Sequence, residues 1–431
     1  MCKNKNMLVY ILVFLSYCNG QYFIGDNKFK YMENVFKWKQ IGYKIGKVLY
    51  TKDTPHEKVP GGFLFEEDLS DEEMFFKQSN NVPIGFEVYK DRAFVTVPRR
   101  RYGIPSTLNY VDLETANASA LLRPYPDYRY DFHSTSELVS VYRPRVDNCD
   151  RLWMVDTGLL EVPKNFVQKK PPRIIVFDLK TDEVVLNYEI PSDVLINGTT
   201  SGLTSITVDV TSTTCDDAYA YINDLAQNGL IVFSMKEMAS WRFSHSSFIY
   251  DEGAKGFEVA EATINWQDGL FSIALSDPNE NGVRTAYYHP FISTLEFSIT
   301  TDILKNKSAN FEKHYKREGV RGAFSQSGSH GYHSGSGVLF YASAAKDGIM
   351  CWNTNRPLVS NISVLIAQDH DQLSYISDLK VRGDDVWVLS NKIPTFIYFG
   401  LDPLSSNFYV FRGKAQDLIK DTECDVSNIK E

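Results

Sequence analysis

The sequence predicts an all-β fold, a six-bladed β-propeller, from three observations. Helical periodicity is scarce, one four-strand unit recurs six times, and its spacing is that of propeller blades. The clearest copy runs 203–210, then 218–224, turns at Asn228-Gly229 into 230–234, and ends at 240–245. Asn-Gly between two apolar runs marks a hairpin because both residues tolerate positive φ. First strands are expected to begin at 84, 137, 203, 269, 323 and 376, in steps of 53, 66, 66, 54 and 53 residues. Two packed β-sandwiches would not explain one unit recurring across nearly the whole chain.

Taken in order, the elements follow from apolar runs broken by turn residues. The other first strands are read at 84–89, 137–142, 269–275, 323–327 and 376–381. Second strands are read at 93–97, 152–156, 285–289, 338–343 and 386–391, and third strands at 108–113, 174–179, 294–299, 349–352 and 396–399. The run 35–41 reads as an extra strand that helps close the ring, and the acidic stretch 66–73 as a solvated insertion.

Ahead of the repeats, Lys3 and Lys5 precede the apolar run 7–15, and Cys18-Asn19-Gly20 supplies small residues before Gln21. This is the pattern of a signal peptide over 1–20, leaving 21–431 as a single propeller domain that is secreted and extracellular. No later segment is apolar for long enough to span a bilayer, so no membrane partner is expected. The chain has 45 Lys+Arg against 54 Asp+Glu, a net charge of −9. That sign argues against nucleic acid as a partner. Hydrophobic residues at 43% and aromatics at 13% are those of a folding globular protein.

Removal of the leader leaves Cys149, Cys215, Cys351 and Cys424, enough for two disulfides in an oxidising compartment. Cys149 and Cys215 each fall between the first and second strands of neighbouring blades, so a Cys149–Cys215 bridge between blades two and three is predicted. Cys351 on blade five would then tie down the C-terminal tail through Cys424. Glycosylation sequons begin at Asn117, Asn197, Asn306 and Asn361.

In a propeller the first strands line the axis and the second strands end on one rim. Reading that rim collects Arg100, Asp156, Asp224, His289 and Asn391, with Asp268, Gln326 and Ser377 from the first strands and their entries. Six blades delivering polar groups to one mouth make a shared small-molecule site the default expectation. The bland alternative is that each residue caps a strand end. His330 and His333 have a tempting spacing but no third ligand nearby in sequence, so no metal is expected. Trp153, Trp241, Trp266, Trp352 and Trp387 recur at blade positions and read as core. There is no Gly-x-Ser-x-Gly, P-loop or dinucleotide fingerprint, and no cofactor is expected.

Six runs carry a family resemblance: Gly85 through Tyr110, Cys149 through Gly158, Trp266 through Phe271, Tyr288-His289-Pro290, Gly348 through Asn353, and Trp387 through Asn391. Together they resemble the insect Yellow/major royal jelly protein family over roughly residues 35 to 425. The run from Val97 to Leu108 looks most like the Yellow-f type, associated with dopachrome conversion. The resemblance implies a six-bladed propeller and a secreted enzyme of melanin formation that turns dopachrome into 5,6-dihydroxyindole. The alternative it implies is a non-catalytic protein that binds biogenic amines, with dopachrome or a related catechol or indole amine as the small-molecule partner. In amine-binding members a hydroxyl, an amide and an aromatic hold the ligand. Ser377 and Asn391 match the first two, and Ile393 stands where the aromatic would be.

For dopachrome conversion the site needs a base, donors for developing oxyanions and walls that exclude water. His289 is the expected base, with Asp156 or Asp268 to orient it or act instead. Asn391, Ser377, Gln326 and Asp224 are expected to bind substrate, and Arg100 to hold its carboxylate.

Overall fold

Six four-stranded antiparallel sheets form the ring of a six-bladed propeller. The computed structural model describes residues 26–56, 73–114, 116–132, 138–160, 166–196, 198, 202–210, 215–359 and 362–425. The leader at 1–20, most of the acidic stretch 66–73, and the sequon residues Asn197 and Asn361 lie outside them.

From the axis outward, blade one is Gly85–Tyr89, Arg92–Thr96, Leu108–Asp112 and Arg123–Pro124. Blade two is Arg145–Val146, Arg151–Asp156, Arg173–Asp178 and Glu183–Glu189. Blade three is Ser205–Asp209, Tyr219–Asp224, Gly229–Ser234 and Ala239–Ser244, and blade four is Leu270–Leu275, Thr285–Pro290, Leu295–Thr300 and Lys316–Val320. Blade five is Ser327–His333, Val338–Ser343, Gly348–Asn353 and Val364–Gln368. Blade six takes Ile376–Arg382, Asp385–Ser390 and Phe408–Lys414 from the C-terminal part and Glu33–Trp38 from the N-terminal part.

That last pairing closes the ring: Glu33–Trp38 runs antiparallel to Phe408–Lys414, and the Trp38 indole donates to the Ala120 carbonyl of blade one at 2.8 Å. The middle strands are mostly buried, and Gly229–Ser234 and Gly348–Asn353 are buried along their whole length, because neighbouring blades cover both faces. Outer strands such as Glu183–Glu189 alternate instead. Apolar side chains from adjacent blades fill each wedge: Trp153 meets Phe233 between blades two and three, and Phe86 meets Trp387 between blades one and six. Burying each such ring removes about 1.5–3 kcal/mol worth of apolar surface from water.

Three expected strands are displaced. Blade two's innermost strand is Arg145–Val146, and the described part of the expected span, 138–142, holds only an isolated bridge at Val141. Blade five's begins at Ser327 and not at 323. The segment read as blade six's third strand is the helix Ile393–Tyr398, with Pro394 in its first turn, and the strand follows at Phe408–Lys414. At the Asn228-Gly229 turn only Asn228 has positive φ, +49°. A Cβ at Gly229 would sit 2.0 Å from the Arg242 guanidinium and would push it off its bonds to Asp224 and the Gln227 carbonyl.

Both predicted disulfides are present: Cys149–Cys215 joins blades two and three, and Cys351–Cys424 pins the tail to blade five. No helix among the described residues is long and apolar enough to cross a membrane. Asn117 and Asn306 are both exposed.

Candidate functional site

On the face where innermost strands begin and second strands end, a cavity of about 590 Å³ opens over the axis. Five blades line it. Aromatic walls come from Tyr142, Trp266, Phe271, Tyr375 and Tyr398, with Phe166 at the rim and Ile393 and Ile397 presented by the helix Ile393–Tyr398. The walls share a backstop: the fully buried Phe291 has ring centroids 5.0 Å from Phe271, 6.0 Å from Trp266 and 6.4 Å from Tyr375. The Trp266 indole N–H donates to the Tyr398 hydroxyl at 2.8 Å.

The charges are uneven. Arg100, Arg101 and Arg143 line the cavity with one acid, Asp268. Arg143 is fixed: Nε donates to the Ser377 carbonyl at 2.7 Å, Nη1 to the Thr204 carbonyl at 3.2 Å, and the guanidinium lies 4.8 Å from the Phe271 ring centroid. Burial pushes the Asp268 carboxyl up to about 6, against the opposing pull of Arg100 and Arg143. Burial likewise pushes the Tyr375 hydroxyl up to about 12 and raises that of Tyr142. A carboxyl titrating near neutrality between guanidiniums, with phenols kept protonated, can move a proton and stabilise charge that develops on a ligand.

Of the residues expected from sequence, Asp268, Arg100 and Ser377 meet in this cavity. The other five are turned into the protein. Asp156 accepts from the backbone N–H of Val139, Ser140 and Gly158 and from Arg173 Nη2 at 2.7 Å. Asp224 pairs with Arg242 at 2.9 Å. Gln326 Nε2 donates to the Ala254 carbonyl at 2.7 Å. Asn391 donates to the Pro83 carbonyl and accepts from the Ile393 N–H. The reason is common to them: the polar end of an inner strand is the nearest partner for the backbone groups of the adjoining loop. Ser377 sits in the cavity, with its hydroxyl committed to the Ile84 carbonyl at 2.9 Å.

His289, the expected base, lies behind the wall. It is fully buried, with Nδ1 2.9 Å from Glu296 Oε2 and Nε2 3.2 Å from the Ser327 carbonyl. Burial and the neighbouring Arg321 push it down to about 3, so the ring is neutral at physiological pH. Its segment serves the cavity through Phe291, two residues on, which backs the aromatic walls.

Among the described residues, one group of three metal-ligand side chains stands out: His289, Glu296 and His330, with ligand atoms within 4.8 Å of one another. Arg321 already pairs with Glu296 at 2.7 Å and balances its charge, so a divalent cation there would be a buried net +2. His333 is not in the group. In the strand Ser327–His333 the two histidines are an odd number apart and face opposite sides, and His333 contacts Ser336 and Asp384.

Sequence reasoning missed Arg143, Tyr142, Tyr375 and Phe271, and read Trp266 as core. A signal existed for two of them. Tyr375 lies two before Ser377 and Trp266 two before Asp268, the spacing that keeps side chains on one face of an extended chain.

The family model of the major royal jelly proteins matches residues 139–424. A Drosophila melanogaster protein named L-dopachrome tautomerase yellow-f is 37% identical over 91% of this chain and 94% of its own length. The Dopaminechrome tautomerase of the same organism is 32% identical over 82% of this chain and 79% of its own. Its Protein yellow is 33% identical over 81% of this chain and 65% of its own.

Proposed function

The chain belongs to the major royal jelly protein family, which includes the Yellow proteins, and from that premise we propose that it is a secreted enzyme converting dopachrome to a 5,6-dihydroxyindole in melanin formation. The observation that carries the proposal is Asp268, a carboxyl pushed up to about 6, beside Arg100 and Arg143 in an aromatic-walled cavity. A relative over nearly the whole chain bears the name of an L-dopachrome tautomerase, which supports the same reading.

In this reading the flat aminochrome stacks against Trp266 and Phe271. Asp268 takes a ring C–H proton while the electron pair moves into the quinone. Arg143 and Tyr375 donate to the oxygen where charge gathers, and that oxygen is then protonated. Loss of the carboxylate as carbon dioxide sends a second electron pair to the other ring oxygen, which takes a proton from water, and this completes the aromatic indole. Because a carboxylic acid with a pKa near the working pH exchanges protons readily, Asp268 meets the need better than the neutral, enclosed His289. Export through the 1–20 leader belongs to the proposal, and the two disulfides fit an oxidising compartment. Asn117 and Asn306, both exposed, are the proposed glycan sites within the described residues.

The test is incubation of purified secreted protein with dopachrome and identification of the indole formed, against a no-protein control. Faster loss of dopachrome with a single indole product supports the proposal. A rate and product mixture equal to the control would refute it. Tight binding of dopamine or serotonin with no turnover would establish the non-catalytic amine binder instead.

A further inference from the structure

We infer that the cavity selects flat aromatic ligands bearing a carboxylate, and that Arg100 is the side chain that receives that group. The inference rests on the cavity proposed above as the active site and carries the expected role of Arg100 further, to a preference of the cavity for carboxylates over amines.

Two observations and two physical arguments support it. Three guanidiniums line the cavity against one carboxyl. Arg100 lines the cavity with no ion pair or hydrogen bond among the described residues holding its guanidinium, and its Nε is shut off from solvent without a partner. A buried donor left unpaired is costly, so an uncommitted guanidinium gains by turning toward a ligand oxygen that supplies the missing acceptor. Arginine grips a carboxylate side-on through two parallel N–H donors, and the unpaired Nε is one of the donors such a grip uses.

The neighbouring arginines have partners of their own, and Arg143 keeps only Nη2 for a ligand oxygen, with no donor pair left for a side-on grip. Arg143 spends Nε and Nη1 on the Ser377 and Thr204 carbonyls. Arg101 donates to the Arg100 carbonyl and lies 5.8 Å from the Phe396 ring centroid. Asp268 offers an ammonium ion little, because Arg100 and Arg143 already act on it. The sign of the cavity is therefore opposite to that of an amine-binding pocket. An aminochrome that keeps its carboxylate should be favoured over one derived from a decarboxylated catecholamine.

The experiment is calorimetric titration with three stable probes: indole-2-carboxylate, indole and tryptamine. Indole-2-carboxylate should bind at least about 10-fold tighter than indole, with tryptamine weakest. Arg100→Gln should remove that preference and leave indole affinity unchanged, and Arg100→Lys should restore part of it. Tryptamine binding as tightly as the carboxylate, or an Arg100→Gln loss equal for all three probes, would overturn the inference. Should the variants fail to fold, the ranking of the three probes on the wild-type protein decides the matter. Carboxylate preference without dopachrome turnover would sink the enzymatic proposal and leave this inference standing. Equal kcat/KM for aminochromes with and without the carboxylate would do the reverse.

Discussion

Arg143 of blade two donates from Nε to the Ser377 carbonyl of blade six at 2.7 Å, a bond that crosses the mouth of the propeller. One guanidinium thereby ties two blades distant in sequence and stands rigidly against the cavity wall. Arg143→Gln should lower dopachrome turnover about 100-fold, the cost of removing a preorganised charged donor. It should also lower thermal stability, because the Ser377 and Thr204 carbonyls lose their partner. Steady-state kinetics beside a melting curve would check both, and turnover unchanged in a folded variant would contradict the role.

Asp268 makes a prediction in two directions. If it is the base, kcat/KM should fall as pH drops through about 6, and Asp268→Asn should abolish turnover. Stability should move the other way. The folded carboxyl holds its proton up to about 6, whereas the unfolded one releases it near 3.8, so the native state loses stability as pH rises between those values. Asp268→Asn should therefore be more stable than wild type at pH 7, by on the order of 1–3 kcal/mol, with the gain vanishing below about pH 4. Denaturant unfolding at both pH values measures it.

His289 should behave as a structural residue. Its folded pKa of about 3 against 6.5 means that protons favour the unfolded chain, so its contribution is present above 6.5 and is lost as pH falls toward 3. His289→Gln should flatten that acid loss and lower stability at pH 7, while turnover per folded molecule stays within a few-fold of wild type. Turnover reduced by orders of magnitude in a folded variant would return His289 to the chemistry.

The tail bridge has its own test. Cys351–Cys424 closes 73 residues, and Cys424→Ser should cost about 4 kcal/mol by the loss of that constraint on the unfolded chain. Urea unfolding of the variant is the check, and a cost near zero would mean the tail is held by its other contacts, such as the Asn353 bond to the Cys424 carbonyl.

The ring was legible because its signal is repetitive: alternating strands and turns at near-constant spacing specify blades without any knowledge of contacts. The closing strand Glu33–Trp38 and both disulfides followed from that layout. Legibility ended where an insertion mimicked a strand, since Ile393–Tyr398 is apolar enough to read as one, yet Pro394 starts a helix. At the site, the face was readable and the roster only partly so. Asp156, Asp224 and Asn391 occupy the rim positions, but an inner-strand end lies beside unpaired loop amides and carbonyls, and those capture the side chain first. Arg143 escaped notice because a buried cation is recognisable only once its carbonyl partners are placed in space.

The most direct measurement is the rate of dopachrome loss catalysed by wild-type and Asp268→Asn protein at pH 7, with the product identified in each case. The account predicts a single indole formed faster than in buffer by the wild type, and the buffer rate from a variant that melts no lower than wild type. A fully active Asp268→Asn protein, or a wild type no faster than buffer, would contradict it.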